Sequence, residues 1–261
     1  MTKAQSPGTG YFVERDALFM RSMPDFEDDA RYILSSPARF DRKNLLFFGA
    51  FSAVTGILMS SVDSPIYNSV RGNDVSKHNF LAGPGRFYDR INPKLFTYGT
   101  SGLLVGAGYL LDDTRLARTG WTAAEAVLFT QLTTGILKSA VGRERPYVND
   151  GNFDFDLLDV TEGNTNRSFP SGHTSKIFAL STVLASSYDS PWVRLPSYAL
   201  AGSVALQRIE SSNHWISDVV AGGALGYVMG RALARKNGLV ESNSRVYPVI
   251  QGGLVGLNIR F

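Results

Sequence analysis

A chain of 261 residues with 44% apolar and 19% charged side chains can bury a sizeable core, and that balance excludes wholesale disorder. Its net charge of +3 is too mild to make nucleic acid a partner, although acidic residues bunched in two stretches leave room for a local positive field. Cysteine is absent, which excludes disulfides, thiol nucleophiles and thiolate metal sites.

Residues 1–40 are polar and of mixed charge. Pro24 followed by Asp25, Glu27, Asp28 and Asp29 predicts the acidic first turn of a short, solvated helix that ends before Pro37. No basic segment leading into an apolar core follows position 1, so no export signal is read there. A long apolar helix is predicted at about 42–62, ending at Asp63-Ser64-Pro65. Its uncharged run approaches the ~20 residues that cross a bilayer. Gly49, Ser52, Thr55, Gly56 and Ser60 dilute it, and the later apolar runs (98–111, 177–187, 195–206) are shorter. Hydropathy therefore favours a soluble or peripheral protein over an integral one.

Turn signals punctuate 63–95 at Gly72-Asn73, Gly83-Pro84-Gly85 and Asn92-Pro93, and His78 among them reads as a surface histidine. Helices are expected at about 94–111, 113–118 and 120–141. The stretch 142–168 is non-periodic and acidic in its middle, the pattern of a solvated lid or rim. It holds two decoys. Asp154-Phe155-Asp156 lacks the preceding apolar strand of an aspartyl-phosphate site. Asp150, Asn152, Asp154 and Asp156 alternate like a calcium loop, but Phe155 and Thr161 stand where that loop needs glycine and glutamate. Helices resume at about 171–188, 192–208 and 213–235, the last with Ala221, Gly222, Gly223 and Gly226 on a narrow packing face. Segments 246–250 and 254–261 read as a short β-hairpin. The expected fold class is all-α, a helical bundle with a short C-terminal β-hairpin. Its single domain divides into an N-terminal helical segment (1–95) packed on the core, a helical core (96–240) and a hairpin-like tail (241–261) that could dock on the body or on a second copy.

Three segments carry chemistry. Lys138 lies near the end of one helix and Arg145-Pro146 just past it, pairing a point charge with a planar fork suited to phosphate oxygens. Taken alone, such cations commonly do no more than complement a helix C-terminus. In Pro170-Ser171-Gly172-His173, Ser171 is a natural N-cap and Gly172 admits a ligand close to the main chain. The amides from Ser171 to Thr174 would face an anion at the positive end of the helix dipole. Arg208, His214 and Asp218 form the third segment. The four-residue spacing places His214 and Asp218 on one face of a helix start, so the carboxylate can hold one ring nitrogen and leave the other free.

Lys138-x6-Arg145-Pro146, Pro170-Ser171-Gly172-His173 and Arg208-x5-His214-x3-Asp218 resemble, in order, the three signature motifs of the type 2 phosphatidic acid phosphatase (PAP2) superfamily. That superfamily includes lipid phosphate phosphatases, bacterial non-specific acid phosphatases and vanadium haloperoxidases. The resemblance covers about 120–230. Gln207 departs from it, standing where the family has Ser before the Arg, which puts one phosphate hydrogen bond in doubt.

The resemblance implies a PAP2-like bundle and a metal-independent, cofactor-free phosphatase of phosphomonoesters or pyrophosphates. His214 would be the nucleophile, with Asp218 orienting it. His173 would protonate the leaving oxygen and then activate water. Lys138, Arg145, Ser171, Gly172 and Arg208 would bind phosphate. The substrate could be a lipid phosphate or a soluble ester. The implied setting is the bacterial periplasm or cell envelope, with peripheral membrane association and homo-oligomers both open. The competing readings are a vanadium haloperoxidase and a non-catalytic phosphate- or lipid-phosphate-binding protein.

Overall fold

Helix starts follow the short polar residues that precede them. Asp25, Asp41, Asn92 and Asp113 each place a side-chain oxygen on an amide of the first turn. This satisfies donors that the helix itself leaves unpaired. The computed structural model describes residues 20, 22–72, 79–148, 151–158, 163 and 165–240, and the backbone of 245–251 and 254–260. The helices are α1 (Phe26–Leu34), α2 (Arg42–Ser61), α3 (Asp63–Gly72), α4 (Gly83–Ile91), α5 (Pro93–Leu110), α6 (Thr114–Val141), α7 (Gly172–Ser187), α8 (Pro191–Glu210) and α9 (Ile216–Lys236). His78 and Asp150 lie outside the described residues.

The bundle is built on α7. Helices α6, α8 and α9 all pack against it, and α5 packs on α6. Ile177, Ala179, Leu180 and Val183 of α7 are buried with Ala123 and Val127 of α6, Val204 of α8 and Leu233 of α9. The α7–α9 contact is close because glycine allows it. A Cβ added at Gly222 would lie 2.5 Å from the Ser171 carbonyl, and one at Gly226 would lie 2.1 Å from the Ser175 carbonyl.

Several boundaries differ from the sequence expectations. The helices expected at 113–118 and 120–141 are one continuous helix. Gly120 packs α6 onto α5, with Ser101 O 2.6 Å from where its Cβ would be, and does not break the helix. The apolar helix stops at Ser61 as expected, but Asp63-Ser64-Pro65 is also the first turn of a further helix, α3, where proline is tolerated. After α1, a 3₁₀ turn (Ser36–Arg39) carries the chain through Pro37. The acidic turn of α1 is not wholly solvated, because Asp29 is buried and accepts hydrogen bonds from Lys236 and Asn237 at the end of α9. The last helix begins at Ile216, so His214 precedes its N-cap, Trp215.

After α9 the backbone traces β1 (Arg245–Gln251) and β2 (Leu254–Arg260) as an antiparallel pair. The fold assignment, all-α, rests on the helices alone. Apolar side chains are exposed on several helices, including Leu46, Phe47 and Phe48 of α2, Leu103 of α5, Ile136 of α6 and Trp192 of α8. Among the described residues, α2 is the one helix long and apolar enough to cross a membrane.

Candidate active site

Three backbone features bring the motif segments together. Gly142 ends α6 in the left-handed region at φ 57°, and a Cβ there would meet the Asp156 carbonyl at 1.6 Å. Only glycine can make this turn. It reverses the chain so that Arg143 can donate its side chain inward and accept the Ser168 amide at 2.9 Å. The Ser171 amide donates to the Asp218 carbonyl at 2.9 Å, joining the start of α7 to the start of α9. The Arg208 carbonyl accepts the amides of Asn213 (3.2 Å) and His214 (3.3 Å), folding the third motif back on the end of α8.

Asp218 is completely buried at the third position of α9. Its Oδ2 accepts from Ser168 Oγ at 2.5 Å and from the Trp215 amide at 2.9 Å, and its Oδ1 accepts from Arg143 Nη1 at 2.7 Å. Burial pulls its pKa upward. Hydrogen bonding to His214 and the Arg143 guanidinium outweigh that pull and hold the carboxyl below its usual range. His214 is 3% exposed. Its Nδ1 lies 3.7 Å from Asp218 Oδ2 and 3.4 Å from Ser168 Oγ. With Nδ1 on that side, Nε2 is the ring nitrogen left for another partner. Burial, reinforced by the nearby Lys138 and Arg145 charges, lowers the His214 pKa to about 3, so the imidazole is neutral.

The cations surround these groups. Lys138 Nζ donates to the carbonyls of Arg167 and Ser168, and burial with repulsion from Arg145 lowers its pKa to about 7. Arg145 Nη1 donates to Asn213 Oδ1 at 3.3 Å, while its Nε is buried without a hydrogen-bond partner. Arg208 donates from Nε to Gln207 Oε1 at 2.6 Å. Its Nη2 is paired by charge with Asp89 Oδ2 at 2.6 Å but is buried without an aligned hydrogen bond. Gln207 thus positions the guanidinium it precedes. His173, in the first turn of α7, lies within electrostatic reach of Arg208, Lys176 and Lys138, and burial together with these cations lowers its pKa to about 2.

All the motif residues meet, with one adjustment. Ser171 is the N-cap of α7, but its hydroxyl pairs with Thr174 Oγ1 at 3.0 Å and its amide is taken by Asp218. The amides that can face an anion therefore begin at Gly172.

The sequence reading missed the group that supports Asp218. Arg143 is fully buried and also donates to Asp63 Oδ2 (2.8 Å), Ser217 Oγ (2.7 Å) and Asn152 O (2.6 Å). Asp63 accepts the Ser217 amide at 3.0 Å, so the first residue of α3 caps α9. The stretch expected to be a solvated rim is thereby tied down at its start. Arg143 bridges to Phe155, and Asn152 donates to Met59 O. Of the calcium-like residues, Asn152 holds protein groups on both sides, and among the described residues no trio of His, Cys, Asp or Glu could hold a metal.

This arrangement of lysine, arginines, paired histidines and a buried aspartate coincides with a family match: residues 119–238 fit the model of the PAP2 superfamily. Over that stretch the chain is similar to the PAP2 superfamily. The lipid A 1-phosphatase of Porphyromonas gingivalis is 38% identical over 85 residues, 32% of this chain and 19% of that protein. That of Rhizobium etli is 31% identical over 131 residues, 46% of this chain and 54% of that protein. The chain thus spans between about a fifth and about half the length of these curated relatives. Two crystal structures share this fold. Aquifex aeolicus LpxE has TM-score 0.50 and 18% identity, covering 67% of this chain and 96% of that one. The transmembrane PAP2-type phosphatidylglycerolphosphate phosphatase of Bacillus subtilis has TM-score 0.52 and 17% identity, covering 76% and 97%.

Proposed function

We propose that the protein is a phosphatase that hydrolyses phosphate monoesters or pyrophosphates, with a lipid phosphate as its substrate, through a phosphohistidine. The observation that carries this reading is a buried guanidinium nitrogen, Arg145 Nε, without a hydrogen-bond partner and within electrostatic reach of neutral His214. A buried donor in that state calls for an anion.

Neutral His214 attacks phosphorus through Nε2, and the imidazolium that forms is stabilised by the buried Asp218 charge. Lys138, Arg145, Arg208 and the amides from Gly172 onward offset charge on the equatorial oxygens. An arriving phosphate brings negative charge beside His173 and raises its proton affinity, so it can protonate the departing oxygen. It then takes a proton from the water that cleaves the P–N bond. A lipid substrate is supported by the exposed apolar helices and by relatives named lipid A 1-phosphatases. Envelope localisation, contact of α2 with a bilayer, homo-oligomer formation and a hairpin tail docked on the body or on a second copy belong to the same proposal. So does the division at 95 and 240.

The test is His214→Ala assayed with p-nitrophenyl phosphate and with phosphorylated lipid in mixed micelles. Turnover of both should be lost while inorganic phosphate still binds. Wild-type-like turnover refutes the nucleophile assignment.

A further inference from the structure

His214 has a carboxylate partner within its own motif. His173 has none in its motif, yet the structure brings one to it. Asp89, the seventh residue of α4, places Oδ1 3.5 Å from His173 Nε2 and Oδ2 2.6 Å from Arg208 Nη2. The spacing to His173 is close to the 3.7 Å between His214 and Asp218. We infer that Asp89 is a positioning residue for His173, forming a second histidine–carboxylate pair that orients the proton donor of the reaction. The inference rests on the phosphatase reading above.

The placement is rigid. The Gly85 amide donates to Ser203 Oγ at 2.9 Å, and a Cβ at Gly85 would lie 2.4 Å from the Ser203 carbonyl, so α4 lies directly on α8. Glu210, at the end of α8, accepts from Arg86 and Asn79 on either side of that contact. Tyr88 is fully buried and sets its ring edge-on to the His173 ring, with centroids 6.4 Å apart. Asp89 is therefore held over Arg208 and His173 by the same packing that joins α4 to α8.

The chemistry follows from which ring nitrogen is taken. With Nε2 facing Asp89, Nδ1 of His173 is the nitrogen that can meet the leaving-group oxygen. As His214 forms its bond to phosphorus and the ester P–O bond breaks, the Nδ1 proton passes to that oxygen. His173 is left neutral with its Nε2 proton on the Asp89 side. In the second half, water gives a proton to Nδ1 as its oxygen attacks phosphorus, and the P–N electron pair returns to His214. The cations facing His173 are Lys138 from α6, Lys176 from its own helix and Arg208 from α8, and neutral His214 faces it from the loop before α9. The three cations disfavour its imidazolium, and Asp89 on α4 is the anion placed to offset them.

The test compares kcat/KM, which reports P–O cleavage, for p-nitrophenyl phosphate and for glycerol phosphate in the full chain. Nitrophenolate departs with little help, whereas an alkoxide needs the proton. Asp89→Asn should lower kcat/KM for glycerol phosphate about tenfold or more beyond its effect on the nitrophenyl ester, within the range of general acid catalysis. Asp89→Ser serves the same comparison should the asparagine variant fail to fold, and Asp89→Glu should restore part of the loss. His173→Ala should show the same selectivity, and adding Asp89→Asn to it should bring no further selective loss. Equal losses on both esters, or additive selectivity in the double variant, overturn the inference and leave Asp89 a mere holder of Arg208. Activity in His214→Ala overturns the phosphatase mechanism instead, and this inference with it.

Discussion

Lys138 illustrates how burial sets chemistry at one side chain. Its ammonium donates to two carbonyls, and burial with the Arg145 charge lowers its pKa to about 7. A lowered lysine pKa means that the cation is present below that value and lost as pH rises through it. A bound phosphate dianion favours the charged form and restores it. In the free enzyme, then, kcat/KM should fall as pH rises past about 7, while kcat, which reports the complex, stays flatter. Lys138→Arg carries a cation that does not titrate in this range, so a basic limb that persists unchanged in its pH–rate profile would count against the assignment. The residues whose chemistry is local were legible in the sequence, because Lys138, Arg145, His173, Arg208, His214 and Asp218 sit at spacings that make sense along one chain. Arg143, Asp63 and Asp89 were not. Their partners lie in other elements, and in one dimension each looks like an ordinary residue of a turn or a helix end.

Helices α7 and α9 carry His173 and Asp218 respectively, so the distance between the two helices sets the site. At Gly226 an added Cβ would meet the Ser175 carbonyl at 2.1 Å, whereas at Gly223 it would touch the Phe178 ring at 3.5 Å, ordinary contact. Gly226→Ala should therefore push the helices apart, costing about 1–3 kcal/mol as overpacking does and lowering kcat with it. Gly223→Ala should be nearly silent. Thermal melts and steady-state kinetics of the pair check this, and equal behaviour of the two variants would contradict it. The same glycines show what one-dimensional reading can and cannot supply. Their narrow face at 221–226 was visible as a packing signal. Gly120, chemically identical, gave no such signal, because only the neighbouring α5 shows what it packs against. Likewise the start of α9 moved from 213 to 216 because Ser212 turns the chain at φ 53°, a conformation that its residue type does not announce.

Over the molecule as a whole, apolar periodicity could place helices but could not say which of their faces would be covered. The run at 177–187 is buried in α7 as expected for a core helix. The runs at 98–111 and 195–206 instead leave Leu103, Leu110 and Leu195 exposed, and α2 leaves Leu45 to Phe48 uncovered. Glycines and hydroxyls diluted the hydropathy of α2 without giving it a partner that buries it. Uncovered apolar side chains recur on α2, α5, α6, α8 and α9, and contiguous apolar surface is found where proteins meet lipid or one another. Attraction of this kind is hydrophobic and does not weaken with ionic strength, unlike attraction of a chain with net charge +3 to an anionic surface. In a flotation assay the full chain should therefore rise with zwitterionic vesicles, stay with them at high salt and leave only in detergent. Release by salt would mean that charge holds it there, and failure to float on neutral lipid would remove the bilayer from the proposal while leaving the phosphate chemistry intact.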